Sequence, residues 1–307
     1  MMMDYYPEGR HSCIAANKRL LSTLSGVEEA MRQGTILEAT ATMCDADHNL
    51  IVNLGSMRGI IPREEGAIGI AEGAVRDIAL ISRVGKSVCF VVKEIKTDNE
   101  GKLFAILSRK SAQQKCREDF LDGLIPGDVI DARVTHLESF GAFCDIGCGI
   151  IALLPIDSIS VSRISHPSDR FNVGADLKVV IKEIMPDGKI MLSLKELLGT
   201  WQENAELLSS GQTVTGVIRS VESYGVFVEL TPNLAGLAEP KSNVFAGQQA
   251  SVYIKSIIPE KMKVKLIIID SFENDYITPI KYFSNETHID VWEYSPKEST
   301  KKIYTQF

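Results

Sequence analysis

Two short stretches carry flat aromatic faces at matched positions: Ser139-Phe140-Gly141-Ala142-Phe143 and Ser223-Tyr224-Gly225-Val226-Phe227. In each, the first ring lies thirteen residues after a glycine, Gly127 or Gly211. A ring, a glycine that allows close approach, and a second ring three residues after the first put two flat apolar faces on one sheet surface. Rings at this spacing are more often core than surface. Here, however, Phe143 and Phe227 alternate with Ala142, Cys144, Val226 and Val228, which can fill the core in their place. The rings are then left facing solvent, as a platform on which unpaired bases can stack.

Other chemistry finds little support. The five histidines, at 11, 48, 136, 166 and 288, form no metal spacing. The glycines of Gly66-Ala67-Ile68-Gly69-Ile70-Ala71-Glu72-Gly73 spell neither phosphate-cradling pattern, and no nucleophile elbow is present. Of the six cysteines only Cys144 and Cys148 are close, and they flank Asp145-Ile146-Gly147 rather than forming a Cys-x-x-Cys knuckle. The residues therefore predict reduced, mostly buried thiols, no metal, no cofactor and no enzyme. A net charge of −7 argues against grip by phosphate neutralisation alone, so stacking must supply much of any binding to nucleic acid.

The elements that must carry the rings are short strands. With 307 residues, 45% hydrophobic and 24% charged, the chain has room for two or three small domains and little long disorder. No apolar run approaches the roughly 20 residues of a membrane span, and Met1-Met2-Met3-Asp4-Tyr5-Tyr6 lacks the pattern of a signal peptide. A cytoplasmic protein without membrane contact is expected. From His11 to Gln33, Leu20, Leu21, Leu24, Val27, Ala30 and Met31 fall on one helical face. Three β-rich units follow, and one strand is written three times: Val91-Val92-Lys93-Glu94-Ile95, Val180-Ile181-Lys182-Glu183-Ile184 and Tyr253-Ile254-Lys255-Ser256-Ile257, each preceded by a glycine, Gly85, Gly174 or Gly247. Gly59-Ile60-Ile61-Pro62 likewise matches Ala152-Leu153-Leu154-Pro155.

This pattern predicts a mainly β protein of three tandem five-stranded OB-fold barrels joined by short helices. The expected divisions are a helical segment at 1–33, a degenerate first repeat at 34–112, the most typical repeat at 126–196, a trimmed third repeat at 211–270, and an aromatic extension at 271–307 packing on the third repeat. One connecting helix is expected from Ser111, as cap, to Leu121. Another runs from Leu194 through Trp201 to Leu208. Tyr276, Tyr282, Phe283, Trp292 and Tyr294 of the extension have no clean period and suit a strand or two laid on the last barrel.

Ser139-Phe140-Gly141-Ala142-Phe143, the following Gly149-Ile150-Ile151-Ala152-Leu153-Leu154 and the closing Gly188-Lys189-Ile190-Met191-Leu192-Ser193-Leu194-Lys195 resemble the RNA-binding repeat of the ribosomal protein S-one family. The resemblance covers about 34–270 and implies barrels that hold single-stranded RNA on their second and third strands. In that family the working face carries two aromatics, a histidine on the third strand, an aspartate after the fourth and an arginine opening the fifth. In the second unit Phe140 and Phe143 match, while Pro155, Met185 and Lys189 stand at the other three places. In the third, Tyr224 and Phe227 match, Glu239 takes the histidine place, and Lys263 lies near the arginine place with Lys261 and Lys265 beside it. In the first, the aromatic places fall at about His48 and Ile51, so that barrel should bind RNA poorly. Arg163, His166 and Arg170, in the long connection of the second unit, add cations for RNA. A merely solvated loop would carry the same residues.

Two functions fit. One is an RNA-binding protein of the S-one type, a monomer contacting single-stranded RNA or mRNA in translation, with the small ribosomal subunit as a further partner. The other is a scaffold whose barrels dock on the ribosome or an enzyme without touching RNA, which the acidic balance favours and the two aromatic pairs oppose.

Overall fold

The computed structural model describes residues 5–273 and 279–307; Tyr276 lies outside them. The helix expected from His11 to Gln33 is divided. A 3-10 turn at His11–Cys13 precedes α1 (Ala15–Leu21) and α2 (Leu24–Gln33). The Thr23 hydroxyl caps α2 by accepting from the Gly26 amide at 3.1 Å. A Cβ on Gly26 would lie 2.4 Å from the Leu20 carbonyl oxygen, so the fold-back of α2 on α1 requires glycine. Leu20, Val27 and Ala30 from these helices are buried in one core with Leu37, Leu50, Ile61, Phe90 and Leu107 of the first barrel.

That barrel consists of β1 (Leu37–Cys44), β2 (Leu50–Asn53), β3 (Arg58–Ile61), β4 (Ser87–Thr97) and β5 (Leu103–Ser108), with α3 (Ile78–Ile81) in its long connection. The strands close in the order β1-β2-β3-β5-β4. α4 (Arg109–Asp119) leads on, capped by Ser108 rather than Ser111: the Ser108 hydroxyl accepts from the Ser111 amide at 2.8 Å. The second barrel has β6 (Val129–Glu138), β7 (Gly141–Asp145), β8 (Ile151–Pro155), β9 (Asp176–Ile184) and β10 (Ile190–Ser193); the third has β11 (Thr213–Glu222), β12 (Gly225–Thr231), β13 (Leu234–Ala238), β14 (Gln249–Ile258) and β15 (Lys263–Phe272). Both repeat the strand order of the first, including the parallel pairing of third and fifth strands. The helix expected over 194–208 is a 3-10 turn at Lys195–Leu198, a break at Gly199 with φ +81°, and α5 (Trp201–Ala205), started by a Thr200–Glu203 capping box.

The glycine before each fourth strand has a common physical reason. Gly85, Gly174 and Gly247 adopt φ of +79°, +90° and +95°. Each amide donates at 2.8 Å to a first-strand carbonyl, of Ala41, Val134 and Ile218 respectively. A Cβ would meet nothing within 4 Å at any of the three, so the left-handed backbone, not crowding, demands glycine.

By compactness the chain forms two units. One runs to Leu124 and includes Asp131–Arg133 and Asp145–Ile151; the other comprises Ile125–Ile130, Val134–Cys144 and Ala152–Phe307. The centre of the first unit holds Glu8, a residue with no mark in the sequence. Its carboxylate accepts from Arg109 Nε at 2.7 Å and Nη2 at 3.1 Å, from Arg83 Nη1 at 3.1 Å, and from the Cys89 amide at 3.1 Å. The Glu8 amide donates to Asp145 Oδ2 at 2.7 Å. None of the six cysteines forms a disulfide among the described residues, and Cys89, Cys116, Cys144 and Cys148 are buried.

In the second unit the extension forms a small antiparallel pair, β16 (Val291–Glu293) and β17 (Tyr304–Gln306). It reaches the second barrel as well as the third. The Val129 amide donates to Thr287 O at 2.9 Å, and His288 Nδ1 lies 2.7 Å from Asp128. The Phe283 amide bonds Leu197 O at 2.9 Å, and the Tyr294 hydroxyl donates to Asn233 O at 2.5 Å. No helix among the described residues is long and apolar enough to cross a membrane.

Candidate nucleic-acid interface

The alternation along the second strands sorts side chains as the period of two requires. Ala142, Cys144, Val226 and Val228 are fully buried, while Phe143 and Phe227 are half-buried on the outer face. Phe140 and Tyr224, in the turns before these strands, are 52% and 65% exposed. Each pair meets edge to face, Phe140 with Phe143 at 6.0 Å and 87°, Tyr224 with Phe227 at 6.2 Å and 87°. The glycine between the rings serves the backbone rather than a ligand. A Cβ on Gly141 would stand 2.5 Å from Leu154 O, and one on Gly225 2.6 Å from Ala238 O.

Strand register extends each platform into a row. In the third barrel Ser220, Phe227, Leu237, Lys265 and Ser256 are successive cross-strand partners, close enough for their side chains to form one surface. In the second barrel the place of Ser220 is taken by His136, whose exposed ring lies 6.4 Å from Phe143 at 24° and bonds Glu138 at 2.8 Å. Sequence reasoning weighed His136 only for metal spacing; its offset of seven residues from Phe143, the same as from Ser220 to Phe227, was the available signal. Lys265 corresponds in register to Met191, since they pair with Leu237 and Leu153. Lys263 and Lys189 therefore hold equivalent places. Both are exposed, and Lys189 is paired with Asp187 at 2.7 Å. Glu239 lies 3.7 Å from Lys255, and Met185 is partly exposed.

The corresponding row in the first barrel is Met43, Ile51, Ile60, Ile106 and Glu94, with no ring and no cation. His48 sits in the preceding turn at φ +62°, 3.7 Å from Asp77.

The long connection of the second barrel holds one correction. Arg163 is exposed, and His166 is half-exposed with Nδ1 accepting from the Ser168 amide at 3.2 Å, capping its own turn. Arg170, expected among the cations offered to RNA, is 5% exposed and points inward. Its guanidinium bonds both Glu229 oxygens, at 2.7 and 2.6 Å, and Ser160 Oγ at 3.0 Å. Arg219 grips the same carboxylate at 2.9 and 3.2 Å. Beside them the Ser162 amide donates to Pro232 O at 3.1 Å and the Val161 amide to Asn233 Oδ1 at 3.0 Å. Burial with a bidentate partner makes Arg170 a bracket between the second and third barrels. Arg170→Ala is expected to cost about 1–3 kcal/mol of stability, because Glu229 keeps Arg219. It should leave the salt dependence of oligonucleotide binding unchanged, whereas loss of a phosphate contact would flatten it by about 0.7 in log–log slope. Thermal melting and titration at several salt concentrations check both.

Among the described residues no group of histidines, cysteines and carboxylates could hold a metal ion.

Known proteins align with this sequence. Residues 124–195 match the S1 RNA binding domain, the stretch that contains Phe140 and Phe143. The chain is 30% identical over 310 aligned positions to the small ribosomal subunit protein bS1 of Staphylococcus aureus (strain COL), covering 92% of this chain and 76% of that one. The bS1 of Staphylococcus haemolyticus (strain JCSC1435) is 29% identical, covering 88% and 73%. A solved multidomain protein with nucleic acid binding domains from Streptococcus pneumoniae covers 77% of this chain and 74% of its own at 14% identity, with a TM-score of 0.26, a likeness too slight to bear on either fold or function. Identity sustained across nine-tenths of the chain carries the assignment: the chain belongs to the S1-type family of the small ribosomal subunit protein bS1.

Proposed function

We propose that this S1-type RNA-binding protein holds single-stranded RNA, mRNA in translation, by stacking bases on the outer faces of its second and third barrels. The single observation that carries the reading is the recurrence of one ring pair, edge to face and open to solvent, on two barrels of identical strand order. Phe140 and Phe143 form one platform, Tyr224 and Phe227 the other. In this reading the exposed Arg163, Lys189 and Lys263, with the half-exposed His166, meet backbone phosphates. No step of chemistry is needed: the protein acts by binding, in the cytoplasm, with the small ribosomal subunit as its assembly partner. Base stacking is worth ~1–3 kcal/mol per base. Two platforms on one chain raise effective concentration, so after ordering costs a dissociation constant on the order of micromolar is expected. Preference among sequences should be weak, since every base has a π-face.

The first barrel supports a second role. Its apolar row suits a protein surface better than RNA, so it is the part we assign to docking. Titration of fluorescent oligo-uridine into the full chain tests the main reading. Saturable binding near micromolar supports it. No binding at a hundredfold higher concentration would leave the whole chain a docking scaffold.

A further inference from the structure

The third barrel's working face does not end at the barrel. A groove of about 710 Å³ is lined by Tyr224, Phe227 and Leu237 of the third barrel together with Tyr294, Lys301 and Ile303 of the C-terminal extension. Its volume lies in the range of roughly 300–1,000 Å³ that holds small organic ligands.

The chemistry of the walls is specific. Lys261, Lys263, Lys265 and Lys301 all line the groove and have no carboxylate partner among the described residues. Its one carboxylate, Glu239, lies 3.7 Å from Lys255. In a chain of net charge −7, four unpaired ammonium groups around one groove make a local positive field, which selects an anion. The exposed Tyr224 ring and the apolar Leu237 select a flat apolar body beside that anion. A run of acidic residues supplies the charge but no flat apolar face. A nucleotide supplies both.

The extension's wall is held in place. Ser299 Oγ donates to Lys301 O at 3.1 Å and accepts from the Lys301 amide at 3.3 Å. The Ile303 amide donates to Ser295 Oγ at 2.8 Å, and the Tyr294 amide to Ile303 O at 2.9 Å. Tyr294 is itself tied to Asn233 of the third barrel. The neighbouring Lys302 is taken by Glu293 at 2.9 Å, while Lys301 lines the groove.

We propose that this groove is a nucleotide subsite that carries the RNA strand off the third barrel and onto the C-terminal extension, with Lys301 holding a backbone phosphate. The inference rests on the RNA reading above and adds to it a residue and a path outside the barrels. The test uses the full chain and fluorescent oligo-uridine at several salt concentrations. Lys301→Ala should weaken binding several-fold and reduce the log–log salt slope by about one contact's worth. Lys301→Glu should weaken it further, and Lys302→Ala should match the parent. Because Lys301 is exposed, all three variants should melt with the parent.

A Lys301→Glu variant that binds as tightly as the parent, with the same slope, overturns the subsite. If in the same series Phe143→Ala with Phe227→Ala weakens binding, the RNA reading survives and only the subsite falls. A parent that binds no oligo-uridine overturns both. A poly-aspartate peptide that competes as well as oligo-uridine of equal charge would show that the groove reads charge alone, and would overturn the nucleotide assignment.

Discussion

Phe143→Ala combined with Phe227→Ala is expected to weaken oligo-uridine binding by about 30-fold or more. Each ring stands on the second strand of its barrel, packed edge to face with Phe140 or Tyr224. Removing one takes away ~1–3 kcal/mol of stacking per base. The two sites lie on separate barrels and share no partner, so the losses should add; the lower sum of about 2 kcal/mol already corresponds to that factor at 1.4 kcal/mol per tenfold. Folding should be retained, since both rings are only half-buried and the cores beneath are filled by Ala142, Cys144, Val226 and Val228. The matched control is Ile51→Ala, at the same place in the first barrel, which should leave the affinity unchanged. Fluorescence anisotropy decides the matter, and a double variant that binds like the parent would remove stacking from the mechanism.

The largest effect on stability is expected from Glu8→Ala. The carboxylate is 5% exposed at its side chain and holds Arg109, 3% exposed, together with Arg83. Its removal leaves the buried guanidiniums without the carboxylate that they bond, a loss of about 3–5 kcal/mol, read as a lower melting temperature and denaturant midpoint. Burial pushes the Glu8 carboxyl up, but the Arg109 and Arg83 guanidiniums outweigh it and hold the pKa below the usual value of 4.5. A depressed acid contributes stability that is present above its unfolded pKa and lost as pH falls through the folded one. The parent should therefore lose stability steeply below about pH 4.5, and Glu8→Gln should flatten that limb. Asp145 acts in the opposite sense. Burial and the nearby Glu8 charge raise it to about 7, so its share fades as pH climbs from its ordinary value of 3.8 towards 7.

The residues behind these two expectations differ in how far the sequence discloses them. The barrels are legible because their rules are local: the glycines at 85, 174 and 247 need positive φ, and strand residues alternate with a period of two. The ring pairs are legible for the same reason. Glu8 is not, because its partners are 75 and 101 residues away and a glutamate between Pro7 and Gly9 looks like any exposed acid. Arg170 misleads in the same manner. In a loop with Arg163 and His166 it reads as a surface cation, and only Glu229, 59 residues on, draws it inward. Lys301 lies in an extension without period, so nothing local connects it to Tyr224. The helix breaks at Thr23 and Gly199 depend on a cap and on a close approach that become visible only when the neighbouring chain is in place.

The bracket of Arg170, Glu229 and Arg219 has a bearing on how the two aromatic faces cooperate. With the long loop of one barrel clasped to the sheet of the next, the interval between the faces is a dimension of the folded protein and not the average reach of a slack tether. The polynucleotide, as the softer of the two molecules, has to bend to that gauge.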